Sequence, residues 1–423
     1  MTATVERRTK QCRLCGGRFG CAEGRAGCWC EEVAVSRDAL ADIRSLATDC
    51  VCPDCLRRFA GKDGGDGALV WAKAVPDAAV RPRTLAPLST VAAFAVLAAS
   101  LLLGLAIGPA QIGPAAILGS LVSHLPASHW SSPLGQVDEA ILWQVRAPRV
   151  VLAALVGAML AVAGSAYQGV FRNPLADPYL LGVAAGAGLG ATVVIAYSGT
   201  PTYNPLLLPL AAFAGASIAV AAAYALGRSA GGANGATTLI LAGIVIALFM
   251  TAIQTFLQQQ RSETLREVYA WILGGFATSD WTEVVAIVPY ITVSGGVLLL
   301  HRRVLDVLRL GDDEASSLGV GVARTRLVIV AAATVGTAAA VAVSGLIGFV
   351  GIIVPHTIRL LVSPSHRTIV PMSLLGGAGF LVLADALART ILAPAELPIG
   401  VVTAFFGAPF FALILRSRRT VVM

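Results

Sequence analysis

The sequence predicts an all-helical protein that crosses a lipid bilayer many times, preceded by a small cysteine-rich module. Of its 423 residues, 56% are hydrophobic and only 13% are charged, about half the charged fraction of a typical soluble domain. The mean hydropathy of +0.77 excludes an ordinary soluble enzyme. The 44 glycines and the alanine-rich runs favour helices that approach one another closely, as in membrane bundles. We assign the net charge of +7 to cytoplasmic loops rather than to nucleic-acid binding.

All eight cysteines lie near the N-terminus. Two CxxC units, Cys12-Arg-Leu-Cys15 and Cys52-Pro-Asp-Cys55, have the spacing that brings two thiolates onto one tetrahedral metal ion. Histidine is absent from residues 1–62, so a metal site there would have only sulfur ligands, and eight thiolates suffice for two structural zinc ions. The predicted metal ligands are Cys12, Cys15, Cys21, Cys28, Cys30, Cys50, Cys52 and Cys55.

Other interpretations of these cysteines compete with structural zinc: redox chemistry or transient metal handling, a disulfide framework, and an iron–sulfur cluster. Disulfides need an oxidising compartment, whereas no secretory signal precedes the first long apolar run near Leu85. We therefore expect residues 1–62 in the reducing cytosol, a flexible linker at 63–84 and a membrane domain at 85–423. The close Cys-x-Cys pairs do not favour an iron–sulfur cluster.

Apolar runs of about 20 residues, long enough to cross the hydrocarbon core, predict ten membrane spans. The uncharged run 178–227 is too long for one span, and the polar stretch 198–205 divides it into two. A second pair is divided near Ser344-Gly345. The predicted spans are 85–108, 150–171, two within 178–227, 237–257, 283–300, two within 322–362, 368–387 and 398–415.

The distribution of basic residues predicts the orientation, because Lys and Arg accumulate in cytoplasmic loops. With a cytoplasmic N-terminus, ten spans also place the C-terminus inside. The inner side then carries Arg172, Arg228, 301–303, Arg309, 366–367 and the basic tail 416–419. The outer side keeps mainly Arg146, Arg149, Arg261, Arg266 and Arg389, which something other than topology must hold there.

Several motifs follow one another along the membrane domain. They are Gln144-Val-Arg-Ala-Pro-Arg149, Arg172-Asn-Pro-Leu-Ala-Asp-Pro178, Ser344-Gly-Leu-Ile-Gly-Phe-Val-Gly351 and Ala395-Glu-Leu-Pro-Ile-Gly400. From about residue 88 to 416 the chain resembles the permeases of type II ABC importers for ferric siderophores, haem and cobalamin. The resemblance implies ten helices per subunit, a homodimer with a central pathway, two ATPase subunits inside and a solute-binding protein outside. Around Cys28-Trp-Cys30, the chain resembles the small cysteine-rich family named for its CWC tripeptide, which implies a compact metal-type module.

An acidic segment lies in the predicted inner loop between spans six and seven. Asp312 can cap a short helix, Asp313 and Glu314 suit its positive end, and Gly319 can close it. A plain capped connector would have the same features, whereas the resemblance makes this segment the coupling helix that inserts into a cleft on the ATPase. The candidate coupling residues are Leu310, Gly311, Asp312, Asp313, Glu314, Ala315, Ser316, Ser317, Leu318 and Gly319.

Three predicted outer arginines, Arg146, Arg149 and Arg389, come from distant segments of the chain. A single arginine would most simply extend its guanidinium to the lipid headgroups. Three together fit a docking surface for acidic residues of the binding protein, which is the role that the resemblance implies. Asp385 is costly in hydrocarbon and should face the bundle interior, where Arg389, four residues later, can pair with it.

The sequence predicts a transport subunit rather than an enzyme. The pattern GxxxxGK[ST] is absent, so ATP hydrolysis must come from partner subunits. We expect import of a metal chelate through the inner cell membrane, with a ferric siderophore as first choice and haem or cobalamin as alternatives, and no cofactor in the membrane domain. A secondary transporter or channel working without ATP is the alternative from another class, but Asp385 is its one candidate for ion coupling.

Overall fold

The chain divides into two compact units, residues 1–82 and 83–423. The computed structural model describes residues 8–12, 18–21, 51–52, 55, 87–108, 110–125, 129, 131–198, 206–229 and 236–419. Of the predicted metal ligands, Cys15, Cys28, Cys30 and Cys50 lie outside these residues, as does the predicted linker.

The described part of the first unit contains a short β-hairpin. Strand β1 (Arg8–Gln11) pairs with β2 (Arg18–Cys21) in antiparallel register, with Arg8 opposite Cys21. Cys12 follows β1 directly and is buried together with Cys52 and Cys55. The sequence analysis did not predict these strands, because each has only four residues and neither shows a clear alternation of apolar and polar side chains.

The described residues of the second unit form helices and turns. A π-helical segment, Ile141–Arg146, joins α3 to α4 without a break, and a short 3₁₀ turn, Ser262–Thr264, precedes α8. The α-helices are α1 (Pro87–Ala106), α2 (Pro114–Ser123), α3 (Gln136–Ala140), α4 (Ala147–Val170), α5 (Val183–Tyr197), α6 (Leu207–Ser229), α7 (Ala236–Gln260), α8 (Leu265–Ile272), α9 (Trp281–Leu308), α10 (Asp312–Ser317), α11 (Val322–Ser344), α12 (Val350–Leu361), α13 (His366–Thr390) and α14 (Ile399–Arg419).

Local sequence signals set several helix ends. The side chain of Asp280 accepts a hydrogen bond from the backbone N–H of Glu283 at 2.9 Å and so caps the start of α9. Gly345, with φ +68°, ends α11 in a conformation that only glycine adopts readily. Ser365 caps α13 by accepting from the N–H of Arg367.

Helix α4 is the centre of the bundle. Nearly every one of its 24 residues is buried, and it packs against α9, α11, α12 and α13, while α1 packs mainly against α13 and also contacts α4. Helices α5, α6 and α7 pack against one another and form a second group. Helix α11 joins the two groups through its contacts with α5 and α6.

Small residues at the helix crossings allow this packing. Gly157 lies against the backbone of Gly377, and Gly164 lies against that of Gly351, so a methyl group at either position would collide with a carbonyl oxygen. Gly186 meets Gly215 in the same way. The high glycine and alanine content therefore reflects close approach of backbones, as the sequence analysis expects.

Among the described residues, seven helices are long and apolar enough to cross a membrane. They are α1, the continuous helix Gln136–Val170, α6, α7, α9, α11 and α13. The other predicted spans fall on the shorter apolar helices α5, α12 and α14. At 1.5 Å per residue, the 12 residues of α12 extend about 18 Å, too short for a core of about 30 Å. The multi-pass helical fold is confirmed, whereas the count of ten stays a prediction.

Candidate functional site

A cluster of ion pairs lies at the end of the bundle where α4 begins and α13 ends. Arg149 binds Asp385 through Nε, 3.1 Å from each carboxylate oxygen, and through Nη2 at 2.8 Å from Oδ1. The same guanidinium binds both carboxylate oxygens of Glu396 at 2.9 Å. Arg389 Nε lies 3.1 Å from Asp385 Oδ2, which confirms the predicted pair between residues four apart. We call these four residues together with Arg146 the arginine cluster, which therefore has five members: Arg146, Arg149, Asp385, Arg389 and Glu396.

Two members of the arginine cluster bind the carboxyl end of α1. Arg389 donates to the carbonyl oxygens of Gly104 and Ile107 at 3.0 and 3.1 Å. Arg146 donates to Leu105 O at 2.7 Å, to Ala106 O at 3.1 Å and to Ala110 O, just beyond the helix. The last carbonyls of a helix lack partners within the helix and carry its partial negative charge, so guanidinium groups stabilise them.

The predicted docking arginines are thus engaged inside the subunit. Arg146 and Arg149 are 3% and 8% exposed, and Asp385 is 1% exposed. Glu396 is the accessible member, with 39% of its side chain exposed, and its hydrogen bonds from Arg149 lower its pKa. The sequence analysis quoted Glu396 only within a motif and did not assign it to the site. Docking through these arginines stays a prediction, and a partner would reach them beside Glu396.

The arginine cluster retains an excess of positive charge. Its three guanidinium groups face two carboxylates, those of Asp385 and Glu396, while Asp138 on α3 acts on Arg146 from outside the cluster. Because Asp385 contacts both Arg149 and Arg389, its charge is satisfied within the fold. This arrangement disfavours Asp385 as the coupling site of a secondary transporter.

The predicted coupling segment, residues 310–319, forms the short helix α10 between α9 and α11. Its acidic residues occupy the first turn, as predicted. Ala315 is fully buried and anchors the helix, whereas Leu310 and Leu318 on either side are 62% and 64% exposed. Gly319, with φ +84°, closes the helix through its N–H, 2.9 Å from Ser316 O, also as predicted.

One prediction for this segment is wrong: Asp312 does not cap the helix. The cap residue is Gly311, with φ +136°, which has no side chain to accept from the helix N–H groups. Asp312 instead accepts two hydrogen bonds from Arg326 Nη2, at 3.0 and 3.1 Å, and lies 3.4 Å from Arg172. The carboxylate binds the guanidinium groups because their donors carry a full positive charge, whereas a backbone N–H carries only a partial one.

A further acidic residue, which the sequence analysis missed, connects α9 to α13 beside the coupling segment. Asp306 accepts hydrogen bonds from Ser365 Oγ and from the backbone N–H of His366, both at 2.6 Å. His366 Nδ1 also lies 3.1 Å from Asp306. The pairing of Asp306 with residues about 60 positions later gives no local signal in the sequence.

The arginine cluster and the coupling segment lie at opposite ends of the same two helices. The cluster surrounds the start of α4 and the end of α13. At the other ends, Arg172 follows α4 and contacts Asp312, while Ser365 and His366 begin α13 beside Asp306. The 24 residues of α4 extend about 36 Å, more than the hydrocarbon thickness.

The loop after α4 is held to the break between α11 and α12. Tyr179 donates its hydroxyl to Ile347 O at 3.0 Å and accepts from Ile347 N at 3.1 Å. Its own N–H donates to Asp177 Oδ1 at 2.8 Å. Burial raises the pKa of Asp177 to about 6, although the bond from the Tyr179 amide opposes the shift.

Three of the described cysteines of the first unit come together. The sulfur atoms of Cys12, Cys52 and Cys55, which we call the thiol cluster, lie within 4.8 Å of one another and are buried. Sulfur ligands of a tetrahedral zinc ion are about 3.8 Å apart, given Zn–S distances of about 2.3 Å. The backbone N–H of Cys52 donates to Cys12 Sγ at 3.3 Å, which favours the thiolate form that binds metal. The cluster thus fits a metal ion.

A family model for the FecCD transport family matches residues 96–417. The chain belongs to the FecCD transport family. A second model, for the cysteine-rich CWC family, matches residues 12–57. Both resemblances expected from the sequence are therefore confirmed.

Curated relatives and a solved structure extend this FecCD assignment. The chain is 40% identical to YvrB, an uncharacterised ABC transporter permease of Bacillus subtilis, over 76% of this chain and 91% of YvrB. It is 42% identical to the cobalamin import permease BtuC of Halobacterium salinarum, over 67% and 75% of the two chains. It is 40% identical to the hemin transport permease HmuU of Yersinia pestis, over 68% and 87%. A metal-chelate type ABC transporter in an inward-facing conformation aligns with a TM-score of 0.67 and 29% identity, over 78% of this chain and all of that one.

These findings establish a multi-pass permease of the ABC importer class. Relatives of this class imply an ATPase and a binding protein as partners, and permeases of this family are typically transport subunits without enzymatic activity.

Proposed function

We propose that this FecCD protein is the membrane subunit of an ATP-driven importer that moves a metal chelate from an outer binding protein into the cytoplasm. The placement of the arginine cluster and the coupling segment at opposite ends of α4 and α13 carries this proposal. An importer driven from inside needs one surface for its substrate-delivering partner and another, across the membrane, for its ATPase. Both termini and residues 310–319 are then cytoplasmic.

The contacts of α10 suit the transmission of force from an ATPase. Leu310 and Leu318 are exposed and can enter an apolar cleft, while Asp312 is tied to Arg326 on α11. On the other side, Asp306 of α9 is tied to the start of α13. Movement of α10 therefore displaces α9, α11 and α13 together, and their far ends reach the outer side. Such a displacement changes which side of the membrane the pathway faces.

The exposed face of α7 supports a homodimer with a water-filled pathway. Thr251, Thr255 and Gln259 are exposed and recur every four residues, so they form a polar stripe along the last turns of α7, in which the Thr255 hydroxyl donates to Thr251 O at 2.9 Å. Polar side chains that face lipid are costly, whereas a water-filled cavity satisfies them. A second copy of the chain facing this stripe would enclose the pathway.

Docking of the binding protein is proposed at the arginine cluster. The excess positive charge attracts acidic side chains, and a guanidinium can bind a carboxylate through two parallel hydrogen bonds. Arg149 already binds Glu396 in this way, which supports a similar two-point contact with a carboxylate of the binding protein.

The proposed substrate class is a metal chelate, and three individual chelates are candidates. A ferric siderophore is the choice made from the sequence, whereas the relatives named above transport cobalamin and hemin. Uptake of radiolabelled ferric siderophore, hemin and cobalamin into proteoliposomes, with the co-expressed ATPase and the binding protein added outside, tests all three. We expect one substrate to accumulate only with internal ATP. Accumulation without ATP would replace the importer with a secondary transporter.

The orientation is tested by labelling the full chain in intact cells. Ser316→Cys places a thiol on α10, and Ser262→Cys places one in the exposed turn after α7, which the proposal puts outside. A membrane-impermeant maleimide followed by peptide mass mapping should modify the thiol at 262 and leave that at 316 until the membrane is opened. Labelling at 316 in intact cells would remove the mechanical basis of the proposal.

For the first unit we propose structural zinc, with the eight cysteines forming two sites of four ligands each, one of which includes the thiol cluster. Elemental analysis of the purified full chain should find two zinc ions per chain, and Cys12→Ser with Cys55→Ser should remove one. A zinc-free chain whose eight thiols all react with iodoacetamide would contradict both sites. A chain without reactive thiols after denaturation would favour disulfides.

A further inference from the structure

A basic cavity of about 280 Å³ lies where α6 ends and α11 begins, at the coupling-segment end of the bundle. Arg228 contributes from the last turn of α6, and Arg324 and Arg326 contribute from the first turns of α11. The transport function proposed above uses none of these side chains to handle substrate. Three guanidinium groups around one small cavity form a site that favours an anion.

The three arginines differ in their availability. Arg326 is buried and held by Asp312, whose two oxygens lie 3.0 and 3.1 Å from Nη2. Arg228 and Arg324 are exposed, and in the described part of the chain neither forms an ion pair. Two positive charges therefore face the cavity mouth without a carboxylate from the described residues.

The cavity wall changes from basic to apolar with depth along the helices. Val330 lies six residues beyond Arg324 on α11, about 9 Å further from the helix end. Leu327 and Leu239 complete the apolar part of the wall, and Leu239 lies in the first turns of α7. A charged mouth at the helix ends followed by an apolar wall has the polarity of a phospholipid, with its phosphate first and its acyl chains after.

We propose that this cavity binds the phosphate headgroup of an anionic phospholipid, whose acyl chain lies along the apolar wall between α6 and α11. A free phosphate ion would satisfy Arg228 and Arg324 but would leave the apolar wall without a partner. Basic pockets between membrane helices at the cytoplasmic side suit anionic headgroups. The proposal does not depend on which chelate is transported.

The test titrates delipidated full-length protein with dioleoylphosphatidylglycerol in detergent and counts bound lipid by native mass spectrometry. The variant Arg228→Gln with Arg324→Gln should bind this lipid roughly 25-fold more weakly, because each arginine near an anionic lipid contributes about fivefold. Arg228→Lys with Arg324→Lys keeps both charges and should retain most of the affinity. This conservative pair separates loss of charge from loss of folding.

A matched control removes the same charge elsewhere. Arg302→Gln with Arg303→Gln changes two arginines on α9 outside the cavity and should leave the affinity unchanged. An equal loss in this control would show that lipid follows general surface charge and would overturn the site. Displacement of the lipid by equimolar sodium phosphate would make the site one for free phosphate. Equal binding of dioleoylphosphatidylcholine would show that the arginines do not select an anion.

Discussion

At the scale of single residues, buried ion pairs and glycines at the helix crossings hold the membrane domain together. Asp385 satisfies two arginines inside the bundle, and two arginines bind the carbonyl groups at the end of α1. Elsewhere, glycines allow backbones to meet. Both devices tolerate few substitutions, because a lost partner leaves a buried charge and an added methyl group has no space.

Replacing Asp385 with Asn should destabilise the protein strongly. The change leaves Arg149 and Arg389 buried with too little negative charge, which costs about 3 kcal/mol or more. Glu396→Gln is the matched control, since this side chain is partly exposed and should cost about 1 kcal/mol or less. Thermal unfolding of the purified protein in detergent measures both. Equal losses for the two variants would contradict the central position of Asp385.

Adding one methyl group at Gly164 should also destabilise the fold. Gly164→Ala would force α4 away from the backbone of Gly351, at a cost of about 1–3 kcal/mol. Gly295→Ala on α9 is the control, because a methyl group there meets no atom within 4 Å and should be neutral or stabilising by up to about 1 kcal/mol. The same unfolding measurement applies, and a neutral Gly164→Ala would show that α4 and α12 are not in close contact.

The raised pKa of Asp177 predicts a loss of stability as pH rises. The pKa in the fold, about 6, exceeds the ordinary value of 3.8, so the stabilisation is complete below pH 4 and disappears as pH passes through 6. The full change is about 3 kcal/mol, because the pKa rises by about two units and each unit corresponds to 1.36 kcal/mol. Unfolding temperatures between pH 4.5 and 7.5 should fall less for Asp177→Asn than for the unchanged protein. An identical pH dependence in both would exclude Asp177 as the titrating group.

At the scale of elements, the coupling segment shows which features a sequence can predict. The acidic first turn and the closing glycine follow local rules, and the structure confirms both. The prediction that Asp312 caps the helix was wrong because the Asp312 carboxylate binds Arg326 and Arg172. Arg172 comes from a segment 140 residues earlier. A local rule cannot include a partner that only tertiary packing supplies.

The exposed leucines of this segment should contribute to ATPase binding. Leu310→Ala with Leu318→Ala should weaken retention of the co-expressed ATPase roughly tenfold per leucine, because burying a leucine contributes about 1.5–3 kcal/mol. Leu300→Ala with Leu361→Ala is the control, since these exposed leucines lie outside the segment. Retention is measured by co-purification at several ATPase concentrations. If the Leu310/Leu318 variant retained the ATPase as well as the control variant does, the ATPase contact would lie elsewhere.

At the scale of the whole molecule, the sequence predicted composition-driven features well and long-range pairings poorly. Apolar runs of sufficient length identified the seven long membrane helices, because burial in lipid requires only local hydrophobicity. The short helix α12 was counted as a full span, since the apolar run continues through the break after Ser344. Arg149 pairs with Glu396, 247 residues away, and the sequence around neither residue contains a local signal of this pairing.

The attachment of α1 sets a limit on how far the chain can be shortened from its beginning. Deleting residues up to Pro87 removes none of the acceptors described above for Arg146 and Arg389, whereas deletion past Ile107 takes away four carbonyl groups, those of Gly104, Leu105, Ala106 and Ile107, that accept from the two guanidiniums. Of the contacts described above, Arg389 would keep only its ion pair with Asp385, and Arg146 only the carbonyl oxygen of Ala110, so several N–H groups of both buried guanidiniums would lose their acceptors. Engineering of a minimal transporter should therefore keep this first helix intact and trim only what precedes it.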